Sequence, residues 1–373
     1  MVFGVSIHRA AHFAVLFVFL LLVSAAAHHG FFTKWSLRDN EAYYGPMPFS
    51  AAQMLDGTAH RPYVYRQLLP LMADGVYDAM PDGLQESARL KLQNRDGTPW
   101  RLNTPESRDP EFAVRYYILY YLSFAFTFLA ACALFRLTAA LSGDDGSALA
   151  ATAVVLLLVP LFQSWGGFYY DFSEIFFMAA TALCALKRWR IAFVALALLG
   201  VVNKESFIAF TLCLAPFLIQ RATWRKDALL LLAVVVVEAG IHLIVRNAFA
   251  ENASGGSFFW LWENLKHFVD WRSYVAIEAT YGLFFPHPMG LFWVAFFALT
   301  AYAAWAHFSR EVRWFILATV AINVPLFLVF CHPGEARNLS MLYLPIALAV
   351  AAVFAARGAA PPKSGVETRT AAA

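Results

Sequence analysis

Long uncharged apolar runs recur from one end of this chain to the other, and they decide what it can fold into. A bilayer core about 30 Å thick takes about 20 apolar residues per helical crossing. Runs of that kind cover about 11–27, 116–140, 147–163, 172–186, 191–202 continuing into 206–220, 228–247, 289–308, 314–331 and 339–356. Charged residues make up only 14% of the 373 residues, and mean hydropathy is +0.57, so there is too little charge to coat a water-soluble globule. The expected fold class is therefore all-α: a polytopic transmembrane helical bundle of about ten spans.

Short-loop charges give the sidedness, because Lys and Arg collect on the cytoplasmic side. Arg9, Arg136, Lys187, Arg188, Arg190, Arg221, Arg225, Lys226, Arg310, Arg313, Arg357, Lys363 and Arg369 all alternate onto one face if there are ten spans. Both termini are then cytoplasmic, in a bacterial inner-membrane arrangement. The one ambiguous stretch is 191–220, where Asn203-Lys204-Glu205 interrupts the apolar run. Two short helices meeting at a polar kink keep the charge rule; a single broken helix would put Arg221, Arg225 and Lys226 outside. Ser24-Ala25-Ala26-Ala27 imitates a signal-peptide cleavage site, and the later spans favour reading the first run as an uncleaved anchor.

Residues 28–113 form a large first extracytoplasmic loop, with short amphipathic helices expected near 49–56 and 83–93. A second outer segment, 247–287, is rich in Phe258, Phe259, Trp260, Trp262 and Trp271, the composition of helices lying at headgroup level. Residues 1–357 read as one membrane domain and 358–373 as a disordered cytoplasmic tail. Net charge is +3, spread over many loops, which excludes a nucleic-acid partner because that requires a basic face. Cys132, Cys184, Cys213 and Cys331 sit in or beside apolar runs with no ligand spacing, so they read as small core side chains.

Charges beside or within apolar spans are costly, so each is a functional candidate. Five polar clusters fall on the outer side: 35–44 with Asp39 and Glu41, 61–70 with Tyr65 and Arg66, 166–174 with Asp171 and Glu174, Lys204-Glu205, and 332–338 with Glu335 and Arg337. Asp39 could be a general base drawing the proton from an attacking hydroxyl, with Glu41 in reserve, or it could cap a short helix. Arg66 and Lys204 could hold a phosphate or form ion pairs. Asp171 and Glu174 share a helix face by their i, i+3 spacing, which suits a metal, a sugar hydroxyl or plain capping. Glu335 and Arg337 could pair with each other or meet phosphate. Glu238 and His242 are one turn apart within a span and read as a buried polar pair. His242, His287 and His332 show no metal spacing, so no resident metal is expected.

This arrangement resembles the multi-span glycosyltransferases of the C-type (GT-C) superfamily. The resemblance rests on Arg38-Asp39-Asn40-Glu41 after the first span, the long first outer loop, and polar clusters at later outer mouths. Tyr65-Arg66-Gln67-Leu68-Leu69-Pro70, Tyr170-Asp171-Phe172-Ser173-Glu174 and Asn203-Lys204-Glu205 are similar to segments of small bacterial membrane proteins within that superfamily. The resemblance implies sugar transfer from a polyprenyl-phosphate donor to an acceptor outside the cytoplasm, with Asp39 as the catalytic acid residue. It implies no obligatory cofactor, although a divalent metal is compatible. Many members carry a soluble C-terminal domain for the acceptor, and this sequence has only a short segment after Arg357, so the acceptor stays open. Two rivals are a transporter or flippase using the same intramembrane charges, and a non-catalytic scaffold of an envelope polysaccharide assembly complex.

Overall fold

Helices follow the apolar runs wherever proline and polar residues do not interrupt them. A computed structural model describes residues 2–38, 49–93, 110–164, 166–254, 259–280 and 283–358. The first run becomes α1 (Val2–Trp35), a helix of 34 residues that is longer than the run itself. At 1.5 Å per residue it is about 50 Å long, more than a bilayer core requires. α5 (Pro110–Ser142) and α6 (Asp145–Phe162) are joined by a tight turn at Gly143, where φ is +71°. Asp144 caps α6 by accepting from the Ser147 amide at 2.7 Å. α7 (Asp171–Lys187) ends on Arg188 in the left-handed conformation, which turns the chain directly into α8 (Arg190–Asn203).

Asn203-Lys204-Glu205 does break the next run: Lys204 is extended, and two short helices follow, α9 (Phe207–Cys213) and α10 (Ala215–Leu218). The bend is close, because a Cβ on Gly200 would lie 2.6 Å from the buried Phe207 ring. α11 (Trp224–Ala248), α14 (Leu291–Trp305), α15 (Arg310–Phe330) and α16 (Tyr343–Gly358) complete the bundle, with a 3₁₀ turn at Ala336–Leu342 leading into α16.

Among the described residues, 6 helical stretches are long and apolar enough to cross a membrane: Arg9–Trp35, Phe112–Ser142, Asp145–Phe162, Arg221–Ala248, Arg310–Phe330 and Ala336–Arg357. Arg190–Asn203 and Leu291–Trp305 are apolar but shorter. The packing is that of a membrane protein. Val15, Ile244 and Tyr302 stand outward, while Ser123, Thr152 and Glu238 are fully enclosed. Such a surface is compatible with lipid and not with water.

Between α1 and α5 lie α2 (Ala51–Leu55), α3 (Leu68–Asp78) and α4 (Asp82–Gln93). α2 opens on a capping box, with Ser50 and Gln53 exchanging side chain to backbone bonds. α2 and α4 fall where the sequence places short helices. α3 does not, because Pro70 and Gly75 read as turn residues; here Pro70 occupies the first turn, where its missing amide costs nothing. The second outer segment contains α12 (Leu261–Val269) and α13 (Arg272–Val275), followed by a departure from the all-α expectation. β1 (Ile277–Thr280) and β2 (Leu283–Pro286) pair antiparallel, with Ile277 opposite Pro286 and Thr280 opposite Leu283. β-branched and aromatic residues at 277, 280, 284 and 285 favour that pairing over a helix.

Long-range bonds gather several helix ends at one end of the bundle. Lys34, on the last turn of α1, donates to the Pro160 and Gln163 carbonyls that close α6, at 3.3 and 3.1 Å, and pairs with Glu278 of β1 at 2.6 Å. A cation there satisfies orphan carbonyls and complements the negative helix terminus. Asn264 of α12 donates likewise to Leu328 O and Cys331 O at the end of α15. The hydroxyl of Tyr116, near the start of α5, donates to Ser36 O at 3.0 Å. At the opposite end the enclosed Asp227 accepts from Arg188 at 3.1 Å and Arg190 at 2.6 Å.

Gly200→Ala is expected to lower stability by about 1–3 kcal/mol through overpacking against Phe207. Thermal unfolding in detergent reads it directly; a midpoint equal to wild type would mean that the bend relaxes freely.

Candidate functional site

Polar residues inside a membrane protein are tolerated only with partners, so the partners define the site. A single 3₁₀ turn, Tyr63–Tyr65, leads to Arg66, which is buried although it belongs to the first loop. The Arg66 fork binds Glu205 in a bidentate pair, Nη2 to Oε1 at 3.0 Å and Nε to Oε2 at 3.3 Å. Its remaining Nη1 donates to the hydroxyl of Tyr170. Arg337, also buried, donates from Nη1 to the same hydroxyl at 3.1 Å and from Nη2 to Glu335 at 2.6 Å. Two guanidinium groups, 104 and 167 residues from Tyr170 in sequence, thus converge on one oxygen.

Aromatic faces surround that point. Arg66 lies 5.1 Å from the Tyr63 ring centroid and 4.6 Å from that of Tyr170, and Arg337 lies 4.4 Å from that of Phe168. Tyr63, Phe168 and Tyr170 form one stack, with centroid spacings of 5.5 and 5.2 Å. The rings shield the charges from solvent and strengthen their mutual interaction.

A second pair, buried on both sides, adjoins the first, whose Glu205 is only half-buried. Lys204 donates to Glu174 at 2.7 Å, and Glu174 also accepts from Ser340 at 2.8 Å. Lys204 and Glu205, neighbours in sequence, therefore serve different partners, because the extended backbone at Lys204 sends the two side chains apart. Asn203 stitches this bend to α7, accepting from Ser173 at 2.6 Å and donating to Tyr170 O at 3.3 Å. Asp171 accepts from the Phe168 amide at 2.8 Å through Oδ2. Its Oδ1 and the Nε of Arg337 are buried polar atoms with no hydrogen-bond partner. Such atoms are expected to face water or a ligand.

Of the residues singled out in the sequence, Arg66, Glu205, Glu335 and Arg337 thus meet through Tyr170, Glu174 and Lys204 form a second pair beside them, and Asp171 accepts from the Phe168 amide next to the group. Tyr65 does not; its ring meets His242 edge-on, with centroids 5.7 Å apart. The pair suggested by Glu238 and His242 is not formed, and Glu238 instead accepts from Thr211 at 2.8 Å. Asp39 and Glu41 lie outside the described residues. The chain leading to them is in place: a Cβ on Gly167 would lie 2.6 Å from both the Phe31 and Trp35 rings, so α1 ends against the loop that carries Tyr170. Tyr170 and Ser340 are network members that the sequence reading did not select. Tyr170 stands beside Asp171 in a quoted cluster, but an aromatic residue in an apolar chain gives no charge signal. Among the described residues no three His, Cys, Asp or Glu side chains gather into a metal-binding group.

Burial disfavours the charge on Glu205, but Arg66 beside it outweighs this and holds the carboxyl at about 2, below its ordinary 4.5. Burial likewise opposes the Arg66 charge, and Glu205 followed by Tyr170 outweigh it, so the guanidinium stays protonated. Compared with protein-family models, with curated proteins and with solved structures, the chain matches none.

Breaking the inner pair by Lys204→Met or Glu174→Gln is expected to cost about 3–5 kcal/mol, since each leaves a buried partner uncompensated. The double substitution is expected to cost less than the sum, which a double-mutant cycle in detergent measures; simple additivity would mean that the pair is not coupled. Because the folded pKa of Glu205 is depressed, its stabilisation is full above about pH 4.5 and fades as pH falls towards 2. The stability gap between wild type and Glu205→Gln is therefore expected to narrow in acid; a gap constant with pH would refute the assignment.

Proposed function

We propose that this chain is an integral membrane glycosyltransferase of the GT-C type. It moves a sugar from a polyprenyl-phosphate donor to an extracytoplasmic lipid, glycan or protein acceptor. In this reading the chain crosses the bacterial inner membrane about ten times, both termini are cytoplasmic, and the Arg66–Arg337 end of the bundle faces outward. The observation that carries it is the convergence of two buried guanidiniums on the Tyr170 hydroxyl, with the Arg337 Nε still open. Two arginine forks aimed at one oxygen form a site suited to a phosphate oxygen.

The reaction is an inverting displacement. An acceptor hydroxyl attacks the anomeric carbon while Asp39, as general base, takes its proton, with Glu41 beside it in sequence. The bond from the anomeric carbon to the phosphate oxygen breaks, and its electron pair leaves with the polyprenyl phosphate. Arg66 and Arg337 stabilise that developing charge, which is where electrostatic help is worth most. Glu174, Lys204, Glu205 and Glu335 keep the two forks and the α8–α9 bend in position, and the open oxygen of Asp171 is available to a sugar hydroxyl. Basic side chains neutralise the leaving group, so the reaction requires no metal, although a divalent ion is compatible with it.

The ion pairs lie where helices end, which favours an enzyme acting at the membrane face over a transporter. Glu238, buried midway along α11, is the feature that favours the transporter reading. Native mass spectrometry of the detergent-purified protein separates these readings. Asp39→Asn is expected to lower turnover at least about 100-fold and to retain a co-purified polyprenyl-phosphate sugar. The absence of such a lipid from both folded forms would overturn the transferase reading in favour of transport or scaffolding.

A further inference from the structure

At the end of the bundle opposite the Arg66–Arg337 site, cations outnumber the acids that could neutralise them. The buried Asp227 is already engaged by Arg188, Arg190 and the Thr223 hydroxyl. Among the described residues, neither Arg221, on the turn after α10, nor Arg310, the first residue of α15, has an ion-pair partner. Both are exposed, and both line one seam where α10 meets α15. Behind the seam the Phe217 and Phe315 rings pack with centroids 4.8 Å apart and hold the two helices together. Glu311 is the one acid that lines it. It lies in the first turn of α15, where its charge is matched to the positive end of the helix.

The seam is polar at one end and apolar below. Ala318 lies eight residues along α15 from Arg310, about 12 Å deeper at the helical rise. On the facing side Ala215 and Pro216 precede Arg221 in the same way. Small side chains where two helices meet leave this strip concave. Its depth is marked by tryptophans: Trp189, between α7 and α8, Trp224, at the start of α11, and Trp314, early in α15, are each more than half exposed. Tryptophans in that position lie at the headgroup level of a bilayer. Arg225 lies 5.4 Å from the Trp224 ring centroid and Arg313 lies 5.7 Å from that of Trp305, so more cations share this level. The two unpaired guanidiniums of the seam thus stand where lipid phosphates lie, and the apolar strip runs on towards the hydrocarbon.

We propose that this seam binds an anionic phospholipid, of the phosphatidylglycerol class, with its phosphate between Arg221 and Arg310 and one acyl chain along Ala215, Pro216 and Ala318. Charge selects the occupant. A headgroup with one net negative charge complements two cations and one acid, whereas a zwitterionic headgroup would bring its own ammonium against the guanidiniums. The inference is independent of the chemistry proposed for the opposite end of the bundle.

Native mass spectrometry of the detergent-purified full chain tests it, in titrations with phosphatidylglycerol and with phosphatidylcholine of the same acyl chains. Phosphatidylglycerol is expected to bind roughly tenfold more tightly, about 1.4 kcal/mol. Arg221→Gln and Arg310→Gln are each expected to weaken its binding about fivefold, while Arg225→Gln, at the same end but outside the seam, leaves it unchanged. Both seam arginines are exposed, so these variants keep the wild-type fold. Ala318→Phe fills the apolar strip without changing charge and is expected to weaken phosphatidylglycerol binding as well. Equal binding of the two lipids, or a loss in Arg225→Gln as large as in the seam variants, would overturn the proposal by revealing unselective attraction to a basic surface. Displacement of the lipid by inorganic phosphate, with Ala318→Phe binding as wild type does, would overturn it too, because the seam would then be a site for a free anion.

Discussion

The bonds that meet at the Tyr170 hydroxyl tie the first loop, the loop before α7 and the turn before α16 to one another. A cation held away from water persists only where a counter-charge or strong acceptor replaces the lost hydration. Here Arg66 has Glu205, Lys204 has Glu174 and Arg337 has Glu335. Each of the first two pairs spans different elements, so satisfying the charges fixes the relative positions of the helix ends. The network thus does for this end of the bundle what lipid-driven packing cannot, since hydrocarbon offers no hydrophobic drive for helices to associate in one particular register.

The apolar helices are legible in the sequence because the bilayer leaves so few choices. An apolar run of about 20 residues has to be helical, and the ends of α5, α6, α11 and α15 fall within a few residues of where composition changes. α1 is longer, since nothing at Gly30 or Lys34 stops it. Outside the spans the constraint relaxes. α3 is hidden by Pro70 and Gly75, and the β1–β2 hairpin is hidden by an aromatic-rich stretch whose composition serves interfacial helices as well.

The candidate site is legible as a set of residues and illegible as a set of pairs. Charge inside an apolar chain marks Arg66, Glu174, Lys204, Glu205 and Arg337, because such residues are too costly to be incidental. Sequence proximity then misdirects: Lys204 and Glu205 stand side by side yet bind different segments, and the i, i+4 spacing of Glu238 and His242 leads to no bond. Only the extended backbone at Lys204 and the packing of α9 against its neighbours decide those partners, and neither is written in local spacing. Tyr170 is missed for the converse reason, since a phenol carries no charge to draw notice until two arginines meet on it.

The three cation–carboxylate pairs leave Asp171 as the one acid of the network without a cation of its own, and its free oxygen is buried. Together with the open Nε of Arg337, this places an unfilled acceptor and an unfilled donor in a region otherwise closed by Phe168 and Tyr170. In a purely structural ion network, both would be liabilities that substitution could remove at little cost, because an uncharged side chain of similar shape would pack as well and need no partner. On the proposed reading these two atoms receive a polar group of the donor, and the ion pairs that hold Arg66 and Arg337 in place supply the rigid environment that electrostatic catalysis requires.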